Sequence, residues 1–137
     1  MEKHMQRRNF IAGLAATPFV TTRAMAYSAE AYTPARWDEL RQLDNPVVLN
    51  FRASWSLTCQ IKADILAQLM QEEPRYRALP FVEVDWDTFG PSRLTTRLKV
   101  KRRSTLVGMR AGREVTRLEN LPYERNIRAF LDTMLES

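Results

Sequence analysis

The sequence predicts an α/β domain in which a mixed sheet of about four strands carries helices on both faces. Three observations predict it. Short β-rich apolar runs at 47–51 and 81–85 alternate with segments whose apolar residues recur at helical spacing. Two further runs, at 105–109 and 114–118, flank Ala111-Gly112 and read as a β-hairpin, so the last pair of strands is antiparallel. Residues 27–137 make up about one compact domain.

Taken in order, residues 27–33 read as a linker and 34–137 as the domain. Thr33-Pro34 opens the first helix, a capping hydroxyl followed by a proline at the first helical position. Trp37, Leu40 and Leu43 give that helix an apolar side, and Asn45-Pro46 stops it. Val47-Val48-Leu49-Asn50-Phe51 is short, β-rich and bounded by turn signals, which suits a buried central strand. A second helix follows the turn at 55–59, carries Ile61, Ile65, Leu66 and Leu69, and ends near Glu73 ahead of Pro74. Phe81-Val82-Glu83-Val84-Asp85 is the next strand. Trp86 and Phe89 then fall in a loop, and Gly90-Pro91-Ser92 begins a short helix to about Leu98. After the hairpin, Pro122 opens a last helix with Ile127, Phe130, Leu131 and Met134 on its apolar side.

Residues 1–26 stand apart from this pattern. Arg7-Arg8-Asn9-Phe10-Ile11, an apolar stretch to Val20, and Ala24-Met25-Ala26 together have the form of a twin-arginine signal peptide. The expectation is export to the periplasm with cleavage after Ala26; an amphipathic first helix or a retained anchor is the alternative. The apolar stretch falls short of the roughly 20 residues that span a bilayer. Lys3, Arg7, Arg8 and Arg23 against Glu2 account for three of the five net positive charges, so the high whole-chain pI belongs partly to targeting. Nothing in the remainder argues for nucleic acid.

The residues able to do chemistry are few. His4 lies in the signal and is the only histidine; Cys59 is the only cysteine. No zinc, haem or iron–sulfur spacing exists, so no cofactor is expected. A histidine-activated nucleophile and an intramolecular disulfide are both excluded for residues 27–137.

One segment carries more information than the rest. Trp55-Ser56-Leu57-Thr58-Cys59 sits between the central strand and the second helix. A strand ending in a Trp-Cys-x-x-Cys turn that opens a helix is the redox site of thioredoxins, and the chain resembles that family over nearly all of 34–137. Val47 to Trp55 is similar to the family's central strand and its tryptophan. Val82-Glu83-Val84-Asp85 resembles the following strand, Leu98 to Leu106 the segment that carries a cis-proline, and Arg110-Ala111-Gly112-Arg113-Glu114 the final hairpin turn. Trp-x-Leu-Thr-Cys is also similar, over a shorter stretch, to the soluble thioredoxin-like domain of membrane disulfide reductases. The resemblance implies a thioredoxin-like fold, with Trp55, Ser56, Asn50, Arg103 and Ser104 at motif and substrate-facing positions and Cys59 at the resolving cysteine.

Three of those positions depart from the family. Ser56 replaces the nucleophilic cysteine, and an alcohol without a base stays protonated at neutral pH; its ordinary use is to cap the helix. Asn50 replaces a buried aspartate and cannot exchange a proton. Ser104 replaces the cis-proline, and a non-proline cis bond costs about 2.5–4 kcal/mol, so the Arg103-Ser104 bond is expected trans. Together they predict loss of dithiol catalysis.

Cys59 is then either a small buried apolar residue or an exposed thiol whose thiolate Arg102 and Arg103 favour. Arg97, Lys99, Lys101, Arg102 and Arg103 form a dense basic run, read as a solvated edge or as a docking face for an acidic partner. Two functions follow. One is a periplasmic binding or accessory module of the thiol–disulfide exchange family that holds a protein partner around Trp55, Cys59 and the residues 102–104. The alternative is a monothiol oxidoreductase that forms mixed disulfides through Cys59 with a protein or small thiol.

Overall fold

The structure is a computed structural model that describes residues 27–137, so the segment read as an export signal, residues 1–26, lies outside the described residues. The elements are β1 (Glu30–Ala31), α1 (Pro34–Leu40), β2 (Pro46–Arg52), α2 (Leu57–Glu72), β3 (Phe81–Asp85), α3 (Trp86–Phe89), α4 (Arg93–Arg97), β4 (Thr105–Arg110), β5 (Arg113–Glu119) and α5 (Glu124–Glu136). A 3-10 turn at Pro74–Ala78 follows α2. The sheet is mixed, in the order β1-β3-β2-β4-β5, with β1, β3 and β2 parallel and β4 and β5 antiparallel to their neighbours.

The central strand shows why both faces are covered. Val47, Leu49 and Phe51 point to one side and pack with Trp37, Leu40, Val84, Leu94, Val107 and Met109. Val48 points to the other side, where Leu66, Leu69, Phe81, Leu106, Ile127, Leu131 and Met134 gather beneath α2 and α5. Asn50 shares the parity of Val48 and therefore lies on the α2 side.

Several helix starts follow from single side chains. Thr33 Oγ1 accepts from the Arg36 N–H at 3.1 Å, and Pro34 occupies the first turn, as the sequence suggests. The helix stops at Leu40, however, earlier than Asn45-Pro46 implies. The Gln42 and Leu43 N–H groups turn back to the carbonyls of Glu39 and Leu40, which tightens the end and leaves Leu43 exposed. The segment holding Trp86 and Phe89 is likewise a helical turn, α3, and no loop. Asp85 caps it by accepting from the Thr88 N–H, and both aromatic rings rest half-buried against the second core.

The stretch read as a linker contributes a fifth strand. Glu30 and Ala31 pair with Val82 and Glu83, and Tyr27 packs edge-on against Phe81 with ring centroids 5.2 Å apart. The hairpin turns on Ala111 (φ 50°) and Gly112 (φ 75°), two left-handed residues in the form that matches strand twist.

Candidate functional site

The turn at 55–59 joins the C-terminal end of β2 to α2, and Arg103 and Ser104 lie beside it. Ser56 is the N-cap of α2: its Oγ accepts from the Cys59 N–H at 3.4 Å, which occupies one of the unpaired donors of the first helical turn. Ser56 is buried, and Cys59 is only 4% exposed. The thiol is therefore covered by the fold, one turn inside the helix.

Trp55 behaves oppositely. Its side chain is 61% exposed, yet it is held from two sides. The indole Nε1–H donates to the Asp87 carboxylate at 3.0 Å, and the Arg103 guanidinium stacks over the ring 4.5 Å from its centroid. Leu57, 73% exposed, and Ile61 extend an apolar surface along α2 from the same turn. The basic run leads up to Arg103: Arg97, Lys99, Lys101 and Arg102 are exposed and make no ion pair among the described residues. Arg97 lies on the α1 side with Trp37, Asp38 and Arg41. Val100 is buried and Arg117 donates to the Lys99 carbonyl at 3.3 Å, so the run is anchored from beneath.

Ser104 fixes the far end of that run. No peptide bond among the described residues is cis, so the Arg103-Ser104 bond is trans. Ser104 takes φ 62°, in the left-handed region, which costs a non-glycine residue about 1–2 kcal/mol. Its backbone is tied on three sides. The N–H donates to the Phe51 carbonyl at 2.7 Å; its own carbonyl accepts from the Asn120 N–H at 2.9 Å and from Lys62 Nζ at 2.5 Å. The Ser104 Oγ is buried without a hydrogen-bond partner.

Lys62 is the feature that motif reading misses. It lies one turn beyond Cys59, is 2% exposed, and has the Ser104 carbonyl as its hydrogen-bond partner. Burial pushes its amine down to about 8; the nearby Cys59 acts the other way and Arg102 adds to the lowering. The one signal available in sequence is spacing. Cys59, Lys62, Ala63 and Leu66 form an i, i+3, i+4, i+7 stripe, which marks position 62 as inward-facing despite its charge.

Asn50 stands apart from the other nominated residues. Its Nδ2–H donates to Tyr27 Oη at 3.0 Å, so its polar partner comes from the segment before β1. Burial pushes the Tyr27 phenol up to about 12, against a smaller opposing effect of the Asn50 hydrogen bond, so this pair carries no charge at neutral pH. The structure thus joins Trp55 to Arg103, Ser56 to Cys59 and Ser104 to Lys62, and leaves Asn50 with Tyr27. Among the described residues no three His, Cys, Asp or Glu side chains form a metal-binding group.

No protein-family model and no curated protein matches the sequence. Solved structures do match. Trxlp from Edwardsiella tarda superposes with a TM-score of 0.66 at 27% identity, over 76% of this chain and 98% of that one. A poplar thioredoxin h mutant gives 0.65 at 22% identity, over 80% and 84% of the two chains. The thioredoxin of Malassezia sympodialis gives 0.66 at 16% identity, over 78% and 90%. The chain has a thioredoxin-like fold.

Proposed function

We propose, from a thioredoxin-like fold whose redox turn keeps one covered cysteine, that the chain is a periplasmic binding or accessory module of the thiol–disulfide exchange family. It holds a protein partner on the Trp55 face and does not carry out dithiol exchange. The observation that carries this reading is Trp55 itself. An exposed indole fixed between Asp87 and Arg103 has already lost most of its rotamer freedom, so docking on it costs little further ordering. Tryptophan and arginine are also the residues that most often dominate interface energies. The exposed Leu57 and Ile61 add apolar area, and the exposed cations Lys101 and Arg102, next in the chain to Arg103, suit a partner segment with acidic residues beside an apolar anchor.

Burial of Cys59 favours this reading over the monothiol alternative, because a thiolate must reach the disulfide it attacks. The replacements Ser56 and Asn50 support it too: one binds the helix terminus and the other a tyrosine, and neither is placed to replace the missing thiol or acid.

The test is capture from periplasmic extract by residues 27–137, with Trp55→Ala and Arg103→Ala as bait controls. A partner retained by the parent and lost by both variants supports the reading. Capture that ignores both substitutions, or that survives only as a mixed disulfide with Cys59, overturns it. The compartment is tested separately: Arg7→Lys with Arg8→Lys should hold the full chain in the cytoplasm, and unchanged export would remove the twin-arginine assignment.

A further inference from the structure

A buried lysine that meets no carboxylate needs an explanation, since desolvating an ammonium is costly and apolar residues fit the inward side of a helix without that cost. Lys62 Nζ reaches the Ser104 carbonyl at 2.5 Å, and Ser104 is the residue next to Arg103, whose guanidinium covers Trp55. The contacts form a chain from the helix interior to the surface: Lys62 to Ser104, through one peptide bond to Arg103, across to Trp55, and on to Asp87. The other two ties on Ser104, to Phe51 and Asn120, join backbone to backbone and carry no charge. Lys62 supplies the one charge-assisted bond.

We propose that Lys62 is a positioning residue for the Trp55 face: by holding the Ser104 carbonyl it sets Arg103 against the indole, and losing its proton loosens that setting. Its purpose rests on the docking reading above, whereas its test does not, because the test follows the indole and needs no partner.

The physical steps are these. As an ammonium, Lys62 donates a short, charge-assisted bond that holds Ser104 in its left-handed conformation. As a neutral amine it still has N–H groups, but the bond weakens to the ordinary kind. The groups whose charge bears on it are Cys59 on the same helix and Arg102 on the segment before β4. Arg102 disfavours the ammonium. Cys59 is the neighbour that favours the ammonium, so a control must remove its thiol.

The experiment is a pH titration of the Trp55 indole N–H resonance in the folded 27–137 domain, assigned by its loss in Trp55→Phe. The parent should show one transition between pH 7 and 9, and Cys59→Ala should still show it. Lys62→Met should place the resonance at the parent's alkaline position and hold it there at all pH values. Lys62→Arg should restore the acid position across the range. Exchange of the Ser104 amide should quicken by about tenfold in Lys62→Met, the effect of losing one charge-assisted bond. A parent resonance that is flat from pH 6.5 to 9.5, a transition that survives Lys62→Met, or one that disappears in Cys59→Ala would each overturn the proposal. Should Lys62→Met fail to fold, the parent and Cys59→Ala titrations decide alone. A clean titration beside a failed partner capture would leave Lys62 a positioning residue on a face that docks nothing, which separates this proposal from the function it rests on.

Discussion

At Trp55 the side chain contributes little to the fold and much to the surface. It is mostly exposed, and its bonds to Asp87 and Arg103 are both at the solvent boundary. Trp55→Ala should therefore change the unfolding free energy by less than about 1 kcal/mol, as surface substitutions usually do, while partner capture is lost; a denaturant melt beside the capture assay checks both. Lys62 has the reverse balance. Its amine titrates near 8 in the folded chain against 10.5 when solvated, so the folded state binds fewer protons between those values. The sign follows: the penalty for the buried charge is complete below pH 8 and is relieved as pH rises toward 10.5, by roughly 2–3 kcal/mol at the upper end. Stability should rise from pH 7 to pH 10 in the parent, and Lys62→Met should be more stable than the parent at pH 7 with that rise removed. Urea melts at the two pH values measure it. The window closes at pH 10, because Tyr27, pushed up to about 12 by burial, loses stability as the unfolded phenol begins to ionise.

Among elements, β4 and α5 approach closely at Gly108. A Cβ built on Gly108 would lie 2.1 Å from Met134 Sδ, in a strand where a bulge at Gly108 and Met109 already shifts the register against β5. Gly108→Ala should destabilise the domain by about 1–3 kcal/mol, the usual range for overpacking a core. Because the obstacle is the far end of a flexible side chain, Met134→Ala in the same chain should recover part of that loss. Thermal melts of the single and double variants check it, and an unchanged melting temperature in Gly108→Ala would mean that α5 does not sit so close. These elements differ in how far their residues announce them. The hairpin was legible because Ala111-Gly112 interrupts two alternating runs, and α2 because Ser56, an apolar stripe and Pro74 mark its start, face and end. β1 was not. Glu30 and Ala31 are exposed and carry no strand pattern; their order comes from the backbone of β3, which offers an unpaired edge. The limits of α1 and α3 were missed for a related reason. A tightened last turn at Leu43 and a side-chain cap from Asp85 are local bonding choices that composition leaves undecided. In the site, the same division holds. Ser56, Ser104 and Asn50 were visible as departures from a resemblance, whereas Lys62, Asp87 and Tyr27 matter through contacts that span tens of residues or lie on a helix face.

For the molecule as a whole, the sheet separates two cores and Cys59 is closed within the structure that both support. β2 contributes to each core, Val48 to one and Val47, Leu49 and Phe51 to the other, so neither can disperse without disturbing the strand they share. A domain of this size built on one such sheet should unfold in a single cooperative step. That has a direct consequence for the thiol. If Cys59 becomes accessible only when the whole domain opens, its alkylation is slowed by the full folding equilibrium. For a domain stable by about 5 kcal/mol or more, the slowing relative to a free thiol is on the order of a thousandfold or greater. As denaturant is added, the alkylation rate should then rise along the same curve as the loss of helical circular dichroism. Local opening gives another picture. Were the first turn of α2 to fray alone, releasing the Ser56 cap on the Cys59 N–H, alkylation would be fast in buffer and nearly independent of denaturant. Measured alkylation rates across a urea series distinguish the two. Slow, globally coupled labelling leaves Cys59 a core residue and the Trp55 face as the working surface. Slowing of less than about tenfold would return the thiol to the surface and make the monothiol reading the better account of the site.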